Sequence, residues 1–208
     1  MEKLQVMFQR SDANPEEVKC LMKSMFYTQR QHVNQGKSIK CLREEWPFWF
    51  DELGMSVHFK ELTGIDLKKT FTRNSLSYFE EESMFFHVED RFLAEEVQLE
   101  QVPLTPAVIV CGQSCYSSKR YMLSLDQNLI NTNISSFISA LCLMFRSYCF
   151  NIYYPSELAS TLEFLQRCFF SINPEKGTKV QNKNSKRPLN LNPRVLTLIQ
   201  ELSDHEWR

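Results

Sequence analysis

Residues 133–173 read NISSFISALCLMFRSYCFNIYYPSELASTLEFLQRCFFSIN, and the fold turns on how this stretch is read. It holds two helix-length apolar runs joined at Tyr153-Tyr154-Pro155. In the first, Phe137, Ile138, Leu141, Cys142, Phe145, Tyr148 and Cys149 keep the helical period of a segment with one buried face. In the second, Pro155 suits a helix start, and Leu158, Ala159, Leu162, Leu165 and Phe169 line an inner face. Almost nothing in either run is reactive. Such a stretch builds a core and carries no reaction. The short link predicts an antiparallel pair, Ile134–Tyr148 against Pro155–Ile172, with Leu141 and Leu162 buried.

Upstream, Ala107–Cys111 is a β-branched apolar run, and Tyr121–Leu125 follows after the polar 112–120 segment. These predict two strands of a hairpin, with Tyr121, Leu123 and Leu125 on one face. Asn131-Thr132-Asn133 read as caps for the first long helix. The expected fold is α+β and predominantly helical: an antiparallel helical pair packed on a short β-hairpin, with an N-terminal helical segment. The expected division is 1–75 as helical segment, 76–174 as α+β core, and 175–208 as basic flexible linker with a short C-terminal helix.

In the N-terminal segment, Asn14-Pro15-Glu16-Glu17 is a helix start: a cap, a first-turn proline and two acids at the positive helix end. Val18, Leu21, Met22, Met25 and Phe26 then form a helical stripe that fades by Asn34-Gln35-Gly36. Ser38 caps a second helix through Ile39, Leu42 and Trp46, which Pro47 breaks. Gly54 marks a turn, and Val57–Leu62 and Leu67–Phe71 read as short helices. Residues 80–100 are acidic with interleaved apolar side chains, the pattern of a solvated face. From Gly177 to Gln200 there is no acid, and Asn, Lys and Pro dominate as far as Pro193, as in a flexible linker. Val195–Leu202 closes the chain as an amphipathic helical turn or two.

The 208 residues carry a net charge of −1, which gives no global pull toward nucleic acid or anionic membrane. No run of about 18 uncharged apolar residues suggests a membrane span. The seven cysteines are scattered among apolar neighbours, as reduced buried thiols are, so a cytoplasmic or nuclear location is expected. Cys111 and Cys115 have C-x3-C spacing with no Cys or His close behind, so no metal site is expected. With five glycines, no Walker loop or dinucleotide fingerprint can be built, and no cofactor is expected. His32, His58, His87 and His205 stand apart, with no nucleophile elbow nearby, and no enzyme activity is expected.

Two segments remain as candidate contact sites. The rings of Trp46, Phe48, Trp49 and Phe50 crowd around Pro47, and their exposure would mark an interaction surface and promote self-association. Lys179, Lys183, Lys186 and Arg187 could meet phosphates, although no aromatic residue lies among them to stack on bases.

Several of these segments resemble one family. They are Glu45-Trp46-Pro47-Phe48-Trp49-Phe50, Phe59-Lys60-Glu61-Leu62-Thr63-Gly64-Ile65-Asp66-Leu67 with Phe71, Leu141-Cys142-Leu143-Met144-Phe145, Tyr153-Tyr154-Pro155 and Thr161-Leu162-Glu163-Phe164-Leu165-Gln166. Over roughly 38–173 the chain is similar to the C-terminal region of sterile alpha motif domain-containing protein 3-like proteins, a group numerous in fish. The sterile alpha motif itself has no counterpart in that reading. The resemblance also implies more helix between the Trp-Pro region and the hairpin than Asn74–Tyr78 supplies, as in a fragment or a product lacking an internal exon. It implies an intracellular protein-interaction role and supplies no catalytic motif. The alternative is a nuclear, mobile-element-derived protein that uses the basic tail on nucleic acid.

Overall fold

A computed structural model describes residues 2–9, 13–78, 100, 102–112, 118–173 and 193–204, with backbone alone at 2, 75–78 and 202–204. The protein is α+β and predominantly helical. Nine helices are described: α1 Glu2–Gln9, α2 Pro15–Ser24, α3 Phe26–Asn34, α4 Ile39–Glu45, α5 Glu52–Thr63, α6 Leu67–Tyr78, α7 Phe137–Ser147, α8 Ala159–Phe164 and α9 Pro193–Asp204. Strands β1 Ala107–Val110, β2 Tyr121–Leu125 and β3 Asn128–Ile134 form one antiparallel sheet in the order β1-β2-β3. The chain gathers into two compact units, Met1–Lys68 with Ser83–Asn151, and Lys69–Glu82 with Ile152–Arg208. These boundaries cut across the three-part division expected from composition.

In the first unit, local signals act where the sequence places them. Asn14 accepts from the Glu16 amide at 2.9 Å, and Ser38 accepts from the Cys41 amide at 3.3 Å. The stripe of 15–34 is two helices and not one, with Met25 leaving helical geometry between them (φ −101°, ψ 7°). Pro47 ends α4 as expected, and Pro47–Phe50 form a 3-10 turn. Gly54 does not mark a turn. It sits inside α5, where any Cβ would collide with the Phe48 carbonyl, so glycine lets the helix lie directly on that turn. The turn comes instead at Gly64, whose left-handed conformation (φ 74°) closes α5.

The sheet of this unit has one strand more than expected. Asn131, Thr132 and Asn133 lie in β3 and cap nothing. The link between β2 and β3 is the pair Asp126-Gln127, both at positive φ (53° and 56°), as a two-residue hairpin turn of the right hand requires. The cap of α7 is Ser136, which accepts from the Ser139 amide at 3.2 Å. Packed across β1 and β2, α7 sets Phe137 against Tyr121 with ring centroids 6.0 Å apart. It also sets Phe145 against Phe59 of α5 at 6.4 Å. Val102, Ile109 and Met122 form a further buried cluster with Ala107, Cys111 and Leu129.

Leu141 of α7 is buried. Leu141→Ala should lower the stability of the chain by about 2–5 kcal/mol, since the remaining core fills such a cavity only partly. Urea denaturation of both chains measures this.

In the second unit, the Asn74 amide of α6 donates to the carbonyls of Cys168 (3.1 Å) and Phe169 (2.8 Å) and to Ser171 Oγ (2.9 Å). Phe71 stacks on Phe169 at 5.3 Å. The expected helix 155–172 is shorter and irregular: α8 passes at Leu165–Phe169 into a π-turn, closed by the Phe170 amide on the Leu165 carbonyl at 3.0 Å. Of its expected inner face, Ala159, Leu162, Leu165 and Phe169 are buried and Leu158 is exposed. The two members of the expected helical pair fall in different units, α7 in the first and α8 in the second. α9 packs on α8 through its unit's own core, with Val195 buried. Among the described residues no helix is long and apolar enough to cross a membrane. The acidic stretch read as a solvated face and the linker before Pro193 lie almost wholly outside the described residues.

Candidate functional site

The aromatic group expected to be an interaction surface is core. Trp46, Phe48, Trp49 and Phe50 are all buried, Trp49 completely at 0% exposure. Two neighbours that periodicity could not supply cover them. Phe8 of α1 meets Phe48 edge-on at 5.1 Å, and Phe150, just beyond α7, stacks on Phe50 at 5.3 Å and meets Trp49 at 4.9 Å. His58 of α5 lies 4.3 Å from the Trp49 ring.

A surface feature of this unit lies beside that cluster. A cleft of about 410 Å³ opens between α1, α4, the 3-10 turn and β3. Its floor is apolar: Ile39, Pro47, Phe50 and Ile130. Phe8, 45% exposed, forms its lip. Lys40, Arg43, Glu44, Asp51 and Asn128 complete the wall. Arg43 is committed to the fold, donating from Nη1 to the Leu129 carbonyl of β3 at 2.7 Å, and so ties the helical wall to the sheet. Asp51 stands at the N-cap of α5 but makes no capping bond with its side chain. Burial holds its carboxyl above the ordinary carboxylate range, and the Arg43 charge only partly opposes this. The cleft therefore offers an apolar floor, a half-exposed aromatic lip and a carboxylate that no local bond consumes.

Two further buried polar groups shape this unit. His58 sits among Phe26, Trp49 and Gln29, with its Nδ1 2.7 Å from Gln29 Oε1. Burial pushes its imidazole down to about 3, with the Arg30 charge adding to the effect. Arg146 of α7 is itself buried, and burial lowers its pKa. Its Nε and Nη1 meet no acceptor among the described residues.

The remaining sequence candidates do not gather here. Cys111 is partly buried, and burial raises its thiol above the usual range, which keeps it protonated. Cys115, His87, His205, Lys179, Lys183, Lys186 and Arg187 lie outside the described residues. Among the described residues no three His, Cys, Asp or Glu side chains converge as a metal site would need. Sequence reasoning missed the cleft because its walls come from four separate segments. Phe8, eight residues into the chain, carries no motif.

Fold and cleft define an α+β domain whose N-terminal helices form one wall of a surface groove. Residues 1–51 match the family described as sterile alpha motif domain-containing protein 3, helical domain. The match spans α1 to α4 and the aromatic turn, and with them the helical wall of the cleft. The family is the one that the residues around Trp46-Pro47 resemble. The matched stretch lies further toward the N-terminus than the resemblance and meets it over 38–51. No match was found among curated proteins or among solved structures.

Proposed function

We propose that this chain is a non-enzymatic, intracellular protein-interaction module, working in the cytoplasm or nucleus, and that it docks its partner in the cleft between α1, α4 and β3. The observation that supports this reading is the pairing of an apolar floor with the uncommitted, partly desolvated Asp51 carboxylate. The occupant that suits it is a peptide segment with an apolar side chain next to a lysine or arginine. The apolar group replaces water on Ile39, Phe50 and Ile130, and the cation meets Asp51, with Glu44 on the same wall. Phe8 acts as an aromatic anchor of the kind that carries binding energy at interfaces.

The test is a peptide array probed with the full chain. Sequences with an apolar residue beside Lys or Arg should be selected over their acidic counterparts. Phe8→Asp and Asp51→Asn should each weaken the best binder by at least about tenfold, the effect of losing an anchor or a charge partner. No selection, or selection that both variants leave intact, would remove the cleft as the docking site. Binding of mixed DNA or RNA that falls steeply with salt would favour the nucleic-acid reading instead.

A further inference from the structure

Three groups converge on a single atom, His32 Nδ1. The Trp46 indole Nε1–H donates to it at 3.1 Å, Lys37 Nζ lies at 3.3 Å, and Glu45 Oε2 lies at 2.8 Å. A ring nitrogen carries either a lone pair or a hydrogen. With the lone pair, Nδ1 accepts from Trp46 or Lys37 and turns that lone pair toward the Glu45 carboxylate. With the hydrogen, it donates to Glu45, and the indole N–H, which can only donate, loses its acceptor. Trp46 is buried, so water does not replace that acceptor. The indole N–H aimed at Nδ1 fits the neutral ring with its hydrogen on Nε2, while the 2.8 Å approach of Glu45 Oε2 fits a hydrogen on Nδ1, so the two contacts compete for one atom. With the hydrogen on Nε2, a second proton on that ring has only Nδ1 to go to.

We propose that His32 Nδ1 is a proton-operated latch. Without a proton it holds the Trp46 indole; with one it binds Glu45 and releases the indole. The charged groups around it are few. Lys37 pairs with both oxygens of Glu45, at 2.6 and 2.7 Å, and so keeps that carboxylate available in either state. Arg30, on the same helix as His32, is committed to the Cys149 carbonyl at 2.6 Å, and Arg43 of α4 to the Leu129 carbonyl. Lys40 and Glu44 are exposed on α4. From α1 comes Gln5, which donates to the backbone carbonyls of Glu44 and Glu45 and does not titrate. Trp46 ends α4 and immediately precedes Pro47 and the aromatic turn, so releasing its indole changes the support beneath that turn. The latch stands whether or not the neighbouring cleft binds a partner.

The test follows the indole N–H resonances of Trp46, Trp49 and Trp207 in the full chain. The pH is lowered from about 8 to about 5, the range in which histidine side chains take up a proton. One indole signal should move upfield and lose roughly tenfold in exchange protection, the factor expected for one lost hydrogen bond. In His32→Gln, whose amide oxygen can accept from the indole but does not titrate, that signal should stay constant. In Glu45→Gln, the midpoint should move to lower pH because the protonated ring loses its anionic partner. An indole spectrum that is constant in the native chain, a transition that persists in His32→Gln, or a midpoint unmoved by Glu45→Gln would each overturn the proposal.

Discussion

Trp49→Glu is expected to leave the protein largely unfolded. The indole is fully enclosed, with His58 at 4.3 Å, Phe150 at 4.9 Å and both Trp46 and Phe50 at 6.5 Å. Removing a ring from such a site costs about 3–5 kcal/mol through lost contacts and the cavity left behind. A carboxylate there would stand among buried rings, and its desolvation adds several kcal/mol more. Domains of this size are stable by only about 5–15 kcal/mol, so the sum approaches or exceeds what is available. Circular dichroism and a urea titration measure the outcome; a cooperative transition near that of the native chain would show that the ring is not core. Trp49→Phe should be much milder. The indole Nε1 meets no acceptor among the described residues, so the smaller ring forfeits volume but no hydrogen bond. This reverses the use to which the substitution would be put on sequence grounds. A change in self-association caused by Trp49→Glu reports unfolding, and the informative surface variant is Phe8→Asp.

What the sequence made legible was local. Asn14, Ser38 and Pro47 act through bonds or backbone preferences that span only a few residues, and each is where the pattern puts it. The strands at Ala107 and Tyr121 were legible from β-branching and spacing. The third strand was not, because its turn uses Asp126-Gln127 where the recognisable signal would be Asn-Gly or Asp-Gly. Polar Asn131, Thr132 and Asn133 then look like caps when they are in fact positions on a strand at the edge of the sheet. Exposure was the larger error, and its cause is distance along the chain. Whether Trp46–Phe50 face water is decided by Phe8 and Phe150, one near the start and the other about a hundred residues beyond. Gly54 failed for a related reason: the contact that requires it is with the Phe48 carbonyl of the preceding turn, which no propensity records. The cleft, the Asp51 carboxylate and the His32 network all depend on such juxtapositions. Of the cleft lining only Phe50 was a sequence candidate for contact; the arrangement around it waited on the fold.

His58 gives the second large effect, a loss of stability in acid. Its side chain is enclosed by Phe26 and Trp49 and hydrogen-bonded to the fully buried Gln29, and burial pushes its imidazole down to about 3. In the unfolded chain the same group titrates near its ordinary value of about 6.5. Above that pH the ring is neutral in both states and contributes no pH dependence. Below it the unfolded chain binds a proton that the native state refuses, so protons favour unfolding. The native state should lose about 1.4 kcal/mol per pH unit through this group, and roughly 4–5 kcal/mol in all by about pH 3. Carboxylates add their own losses at the acid end, and other histidines titrate in the same window. The measurement is therefore a difference: urea denaturation of the native chain and of His58→Asn at half-unit steps from about pH 7.5 to about 4.5. Asparagine places an amide N–H near the position of Nδ1 and so retains a donor for Gln29, but it cannot take up a proton. The variant should be less stable than the native chain at neutral pH, because the ring leaves a gap against Trp49. The two stabilities should converge as pH falls, at close to the slope given. Parallel curves across the range would mean that His58 protonates within the folded protein, and that its site is far better solvated than the packing of Trp49, Phe26 and Gln29 around it implies.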